Sequence, residues 1–333
     1  MLRYLILTIL LSVTIPVLAQ ESSAYQTAID YSNAHRADAL LIYRDGELLV
    51  ETYNRRYDSN EPHRLNSGTK SFTCAIAVAA IQDGLITSFD ERISNTITEW
   101  QGDPQRENIT LRDTLSLTSG LEGGIFGFRR ADDWYAQALE TDLIGTPGEQ
   151  FAYGPVNFFV FGEVMQRKLS GETVTDYLDR RIFQPIGITG ITFDRDNDGN
   201  PDLAGGGYGT ARQWAKFGHL ILNQGVWEGV PVLDSELLNE CFYGTQANPN
   251  YGLSFWLGYD GQQFESTDMV RRNADIPELP ADAVLGQPDI IFASGANHQL
   301  LYVIPALDMV IVRFGRRAQG WNDSEFLSLV TEG

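Results

Sequence analysis

The segment Leu65-Asn66-Ser67-Gly68-Thr69-Lys70-Ser71-Phe72 places a serine and a lysine three residues apart at the start of an apolar run that reads as a helix. At that spacing two side chains share one helix face. A serine hydroxyl is a weak nucleophile near neutral pH, and an amine kept neutral by desolvation can take its proton. The helix N-terminus adds free N–H groups and positive potential where an oxyanion would develop. Read alone, the same residues also describe a serine N-cap followed by a surface lysine. Lys70, Lys168 and Lys216 are the only lysines in the chain, however, so a lysine inside a chemical motif carries weight.

Two later stretches add candidates. Pro147-Gly-Glu-Gln-Phe-Ala-Tyr153-Gly-Pro155-Val-Asn157 presents one tyrosine just before a helical run. Beside a cationic lysine its phenol is expected to have a lowered pKa and to shuttle protons, whereas alone it would be a core aromatic with a bonded tip. Ile291-Phe-Ala-Ser-Gly-Ala-Asn-His-Gln299 sets small residues where a strand would flank a cleft, so that backbone can approach a ligand. Tyr251, Trp256 and Phe292 are aromatic candidates for the cleft wall or for the core. No Gly-x-Ser-x-Gly elbow surrounds any serine, and none of the histidines, His35, His63, His219 and His298, falls in a His-Glu-x-x-His pair, so neither an α/β-hydrolase nor a zinc hydrolase is indicated. Asp194, Asp196 and Asp198 alternate before Gly199 like half of a calcium loop, but Gly205 stands where the closing glutamate belongs; an Asx-rich turn is the plainer reading, and no cofactor is called for.

The elements that must position these residues are legible. Ala37–Tyr43 and Leu48–Tyr53 are β-rich runs around Asp45-Gly46, a hairpin signal, and Gln299–Ile304 with Met309–Phe314 mirrors them at the other end. Helical patterns cover Ser67–Asp83, Asn157–Lys168, Val174–Phe183, Thr210–Leu222 and Asp323–Val330. The expected architecture is α/β (α+β): one antiparallel sheet built from both chain ends and flanked by helices, with a mostly helical region inserted between them.

Composition bounds the function. A chain of 333 residues that is 43% hydrophobic can bury a large core, and a formal charge of −20 with no basic run disfavours nucleic acid and anionic lipid. Residues 1–19, with Arg3, an apolar stretch broken by Pro16 and Val17-Leu18-Ala19, read as a cleavable signal peptide, leaving 20–333 as one periplasmic or secreted unit with no spanning segment. Cys74 lies in an apolar run and reads as a small buried thiol, with a bond to Cys241 as the alternative.

In order along the chain, Ser67-Gly-Thr-Lys70, Thr110-Leu-Arg-Asp113 running into Leu117-Thr-Ser-Gly-Leu121, the Pro147–Asn157 stretch, Ala204-Gly-Gly-Gly207 with Thr210-Ala-Arg212, and Ser294-Gly295 before Tyr302-Val-Ile-Pro305 resemble the serine β-lactamase and penicillin-binding-protein superfamily. The likeness is to its class C-like branch, with D-alanyl-D-alanine carboxypeptidases, family VIII esterases and nylon-oligomer hydrolases, and it spans nearly the whole chain after residue 19. It implies that Ser67 is acylated, that Lys70 helps deprotonate it, that Tyr153 relays the proton, and that the N–H groups of Ser67 and Ala296 form the oxyanion hole. Asn157, Ser294, Gly295 and His298 are the implied substrate contacts. Two departures stand out: Pro155 replaces the asparagine of a Tyr-x-Asn motif, and Ala293 replaces the Lys or His that opens the third motif. Loss of that cation disfavours β-lactams and peptide C-termini relative to neutral esters unless His298, Arg271 or Arg272 restores it. The expected activity is therefore esterase-like hydrolysis of a small ester or amide. The alternatives are a β-lactamase or carboxypeptidase with the same mechanism, or a silent binding protein of the same fold.

Overall fold

The computed structural model describes residues 24–55, 57–124, 132–259 and 288–331, so the leader segment and Arg271 and Arg272 lie outside the described residues. Six strands form one antiparallel sheet. β1 (Ala37–Arg44) and β2 (Glu47–Tyr53) are the first hairpin, and β3 (Trp256–Gly258), β4 (Ile290–Gly295), β5 (Gln299–Ile304) and β6 (Met309–Gly315) come from the C-terminal third. The order β2-β1-β6-β5-β4-β3 joins the two chain ends at the centre, through pairs such as Leu41↔Val312. The first hairpin closes through Asp45 and Gly46, both at positive φ (52° and 76°), the geometry of a two-residue turn whose twist suits its strands. β5 and β6 are buried along their whole length, which is why their sequences run apolar rather than alternating.

Helices cover both faces of this sheet. α1 (Gln26–Ala34) opens the described chain, α2 (Ser71–Gln82), α3 (Leu111–Leu115), α4 (Val156–Lys168), α5 (Ala211–Leu222) and α6 (Ser235–Glu240) follow in the insertion, and α7 (Asp323–Thr331) ends it. Gly218 lets α5 lie close on one face: a Cβ there would stand 2.8 Å from Leu301 Cδ1 and 2.7 Å from Val310 Cγ1. Tyr302 points to the opposite face, as strand alternation requires, and meets α7 through Phe326 and a hydrogen bond to Asp323. On that same face Arg313, fully buried, donates to Ser32 Oγ (3.2 Å) of α1 and to the His298 carbonyl (2.9 Å), and stacks on Trp321.

The helical expectations hold with local differences. The run over 67–83 begins as a 3-10 turn, Asn66–Lys70, before becoming α2, and stops at Gly84 (φ 72°). The run over 174–183 is an α turn continued as a π turn from Asp179 to Phe183. One expectation is corrected: Cys74 of α2 is not a free thiol but is bonded to Cys241 at the end of α6, with Cα atoms 6.4 Å apart. The fold brings together two cysteines 167 positions apart, a proximity no local pattern encodes.

Candidate active site

The 3-10 turn Asn66–Lys70 is closed by a bond of its own and tied to Gly207 by two more. Leu65 N–H donates to the Gly207 carbonyl (2.8 Å), Thr69 Oγ1 donates to the Asn66 carbonyl (2.7 Å), and Gly207 N–H donates back to Thr69 Oγ1 (3.0 Å). Asn66 itself is left-handed (φ 50°), a conformation asparagine tolerates better than most residues, and its Nδ2 donates to the Ala296 carbonyl at 3.0 Å. The end of β4 therefore abuts the serine's turn. Gly295 is what allows this, because a Cβ there would lie 2.0 Å from the Leu65 carbonyl oxygen. The Gly295→Ala protein is expected to lose at least about tenfold in kcat/KM, since overpacking of this kind costs on the order of 1–3 kcal/mol and is relieved only by withdrawing the strand from Ser67. Ester-hydrolysis kinetics alongside thermal melts check it, and wild-type kinetics would show that this packing is not needed for the site.

Within the turn, Lys70 Nζ donates to Ser67 Oγ at 3.1 Å and to the Ala204 carbonyl at 2.5 Å. The amine is buried, and burial pulls its pKa down to about 8 against the opposing pull of the Asp202 carboxylate. Asp202 is buried too, which raises its own pKa, and its Oδ1 accepts the N–H groups of Ala204 (3.0 Å) and Gly205 (2.8 Å). It thus shapes the turn that offers the Ala204 carbonyl to Lys70.

Tyr153 reaches the same place from the loop before α4. The segment after α3 aligns that loop: Leu117 O accepts from Ala152 N–H (2.9 Å) and Thr118 O from Gly148 N–H (2.7 Å). Gly154 packs backbone on backbone, since a Cβ there would fall 1.8 Å from Gly123 O. The Tyr153 ring stacks on Trp256 (5.6 Å, 25°) and meets Tyr251 edge-on (6.3 Å, 88°). Tyr251, Trp256 and the neighbouring Phe292 are all buried, so they pack around Tyr153 rather than forming an open wall.

The expected lowering of the Tyr153 pKa is overturned. Burial pushes it up to about 12, opposed only by Ser67; Lys70, whose Nζ lies 5.1 Å from the ring centroid, adds no lowering because an amine with a pKa near 8 is already neutral where this phenol would ionise. Its hydroxyl is near enough to Ser67 to feel it but makes no hydrogen bond of ordinary geometry.

The remaining expected residues divide. Asn157 lies in the first turn of α4, 1% exposed, and neither its Nδ2 nor its Oδ1 is bonded to protein among the described residues, the condition of a side chain that water or a ligand must satisfy. Ser294 is buried in β4 opposite Leu300, one residue before the Gly295 contact. His298 is not assembled with Ser67: its ring packs 5.7 Å from Trp321, and burial and the Arg313 guanidinium lower its pKa, so it supplies no cation at neutral pH. Asp194, Asp196 and Asp198 do not converge either. Asp194 pairs with Arg64 (2.8 Å), Asp196 Oδ1 accepts the N–H groups of Asp198 (3.1 Å) and Asn200 (2.7 Å), and no metal-binding group of three such side chains occurs among the described residues. Sequence reasoning missed Asn66 and Asp202. Their signals were an asparagine directly before the serine and an aspartate two residues before Ala204-Gly-Gly-Gly207.

This sheet, with a Ser-x-x-Lys turn wedged against one strand and a tyrosine opposite, defines a β-lactamase-fold hydrolase. The chain matches the Beta-lactamase family model over residues 25–325 and belongs to that family, whose members are serine hydrolases. Among curated proteins it is 24% identical over 145 residues to Protein flp of Staphylococcus aureus (strain MRSA252), 41% of this chain and 29% of that protein. It is 28% identical over 160 residues to the monacolin J acid methylbutanoyltransferase of Aspergillus terreus (strain NIH 2624 / FGSC A1156), 40% of this chain and 38% of that one. Each match thus spans well under half of the relative's length. Among solved structures it superposes on a Bacillus anthracis protein assigned as a 6-aminohexanoate-dimer hydrolase (TM-score 0.70, 19% identity, 91% of this chain and 79% of that). It also superposes on the class C β-lactamase of Rhodobacter sphaeroides (0.67, 16%, 94% and 97%) and on EstCE1, a hydrolase with promiscuous acyltransferase activity (0.64, 15%, 94% and 97%). At these identities the superpositions speak to the fold.

Proposed function

We propose that the protein is an exported serine hydrolase that cleaves a carboxylic ester, or a reactive amide, through an acyl-enzyme on Ser67. The observation that carries this reading is the buried Lys70 amine, its pKa near 8, within 3.1 Å of Ser67 Oγ. A group with that pKa is neutral in about a tenth of molecules at pH 7 and is basic enough to take a proton as the nucleophile attacks.

In acylation the Ser67 oxygen bonds the substrate carbonyl carbon while its proton passes to Lys70, and the N–H groups of Ser67 and Ala296 hold the oxyanion. Collapse breaks the bond to the leaving alkoxide, which is protonated by the Tyr153 hydroxyl. Because burial keeps that phenol neutral, it serves as an acid. Lys70 then restores the proton to Tyr153. In deacylation a water adds to the acyl carbon, giving one proton to the same pair; collapse then breaks the bond to Ser67 Oγ, which takes that proton back as the carboxylic acid leaves.

Esters are favoured over β-lactams because Ala293 holds the place of the third motif's cation and His298 is neutral and turned away. The acyltransferase activities named for EstCE1 and the Aspergillus enzyme support chemistry on activated acyl groups. Parallel assays test this: kcat/KM for short p-nitrophenyl esters is expected to exceed that for nitrocefin by at least about 100-fold. The reverse order would assign a β-lactamase, and no turnover of either would favour a binding protein.

A further inference from the structure

Although the chain carries a formal charge of −20, it gathers cations in one place. A cavity of about 830 Å³ is lined by Arg36, Arg55, His63, Arg64, Arg316 and Arg317. Asp38 is the one acid in its lining among the described residues; buried, it accepts from Arg55 Nη1 (2.7 Å) and Arg316 Nε (3.3 Å) and lies 3.5 Å from His63 Nε2. Arg64 is paired with Asp194 outside the lining. Arg36 and Arg317 have no carboxylate partner among the described residues; Arg36 Nη1 instead donates to the Arg317 carbonyl (3.1 Å), which ties the two segments together. The lining therefore carries five guanidinium groups against one carboxylate within it and a second, Asp194, outside it, in a concave site where confinement strengthens their field. Planar guanidinium groups in this density suit carboxylate or phosphate oxygens.

The cavity adjoins the candidate site. Asn66 and Asn297 also line it, and they flank Ser67 and Ala296, joined by the bond from Asn66 to the Ala296 carbonyl. Ser67 does not line it. We propose that this cavity binds an anionic group, and that it takes the far end of an acid-bearing acyl chain whose ester lies at Ser67. The second part rests on the hydrolase reading above. Because the charge is held beyond Asn66, it has to be carried several carbons from the scissile bond, unlike a β-lactam carboxylate, which is fixed close to its amide.

Two arms test this. In the first, inorganic phosphate and adipate are titrated calorimetrically into the Ser67→Ala protein, with and without Arg36→Ala/Arg317→Ala. These two arginines leave the Asp38 cluster intact, and Arg317→Glu serves as a second variant should the double one fold poorly. Saturable binding that weakens at least tenfold in either variant and falls with added salt is expected. In the second, kcat/KM is compared for mono-p-nitrophenyl adipate and p-nitrophenyl hexanoate. The native enzyme is expected to prefer the acid at least tenfold, and the arginine variants to lose that preference with hexanoate turnover unchanged. Binding without preference would assign the cavity to a free anion and overturn the substrate role. Binding with no hydrolysis of either ester would leave the cavity standing while the Ser67 reading fails. Absence of binding in the first arm would overturn the site itself.

Discussion

Replacing Ser67 by alanine is expected to lower kcat/KM for p-nitrophenyl acetate by at least about 10⁴-fold, equivalent to roughly 5.5 kcal/mol of transition-state stabilisation. The expectation is large because the hydroxyl is the atom that bonds the substrate, and no other serine shares the turn with a buried amine. It should cost the fold little. Ser67 Oγ accepts one hydrogen bond, from Lys70, which keeps the Ala204 carbonyl as its second acceptor. The variant should therefore melt within a few degrees of the native protein, so that lost activity is not lost folding. A fall of less than tenfold, with a native melt, would mean that ester turnover occurs elsewhere.

The second large effect is that of Lys70→Met, expected to reduce kcat/KM about 10³-fold, within the range for loss of a positioned general base. The pH dependence separates this role from a structural one. The neutral amine is the active form, so native kcat/KM should rise about tenfold per pH unit below 8 and level off above it, following the pKa that burial sets near 8. Tyr153 must stay protonated to act as an acid, and with its pKa near 12 it imposes no descending limb in the ordinary working range. In Lys70→Met the limb near 8 should vanish. Stability also rises with pH, over a higher range. The folded amine binds its proton less tightly than the unfolded one, whose pKa is the ordinary 10.5, so the penalty for burying the ammonium is fully present below about 8 and fades as pH rises towards 10.5. Lys70→Met, free of that penalty, should melt at or above the native temperature at pH 7. A variant that keeps the limb would show that another group titrates.

Much of the fold was legible because it rests on local chemistry. Asp45-Gly46 dictates its own hairpin, Thr210 forms the capping box that starts α5, and the runs over 299–304 and 309–314 have the composition of buried strands. Ser67 and Lys70 were legible for the same reason, as their spacing alone places them within reach of each other. What escaped depends on residues distant in sequence. The Cys74–Cys241 bond, the Asn66 contact with Ala296 and the support Asp202 gives to Ala204 appear only once strand and turn are packed together. The Tyr153 pKa was misjudged because sequence shows neither how dry the surroundings of the phenol are nor that burial leaves Lys70 neutral where the phenol would ionise. The basic cavity was invisible for a related reason: its arginines come from four separate segments, each unremarkable in a net acidic chain.

The most direct measurement is intact-protein mass spectrometry after treatment with a fluorophosphonate, followed by peptide mapping of the labelled residue. One phosphonyl group per chain, located on Ser67 and absent from the Ser67→Ala protein, is the result expected. Labelling at another residue, or equal labelling of both proteins, would contradict an acyl-enzyme on Ser67.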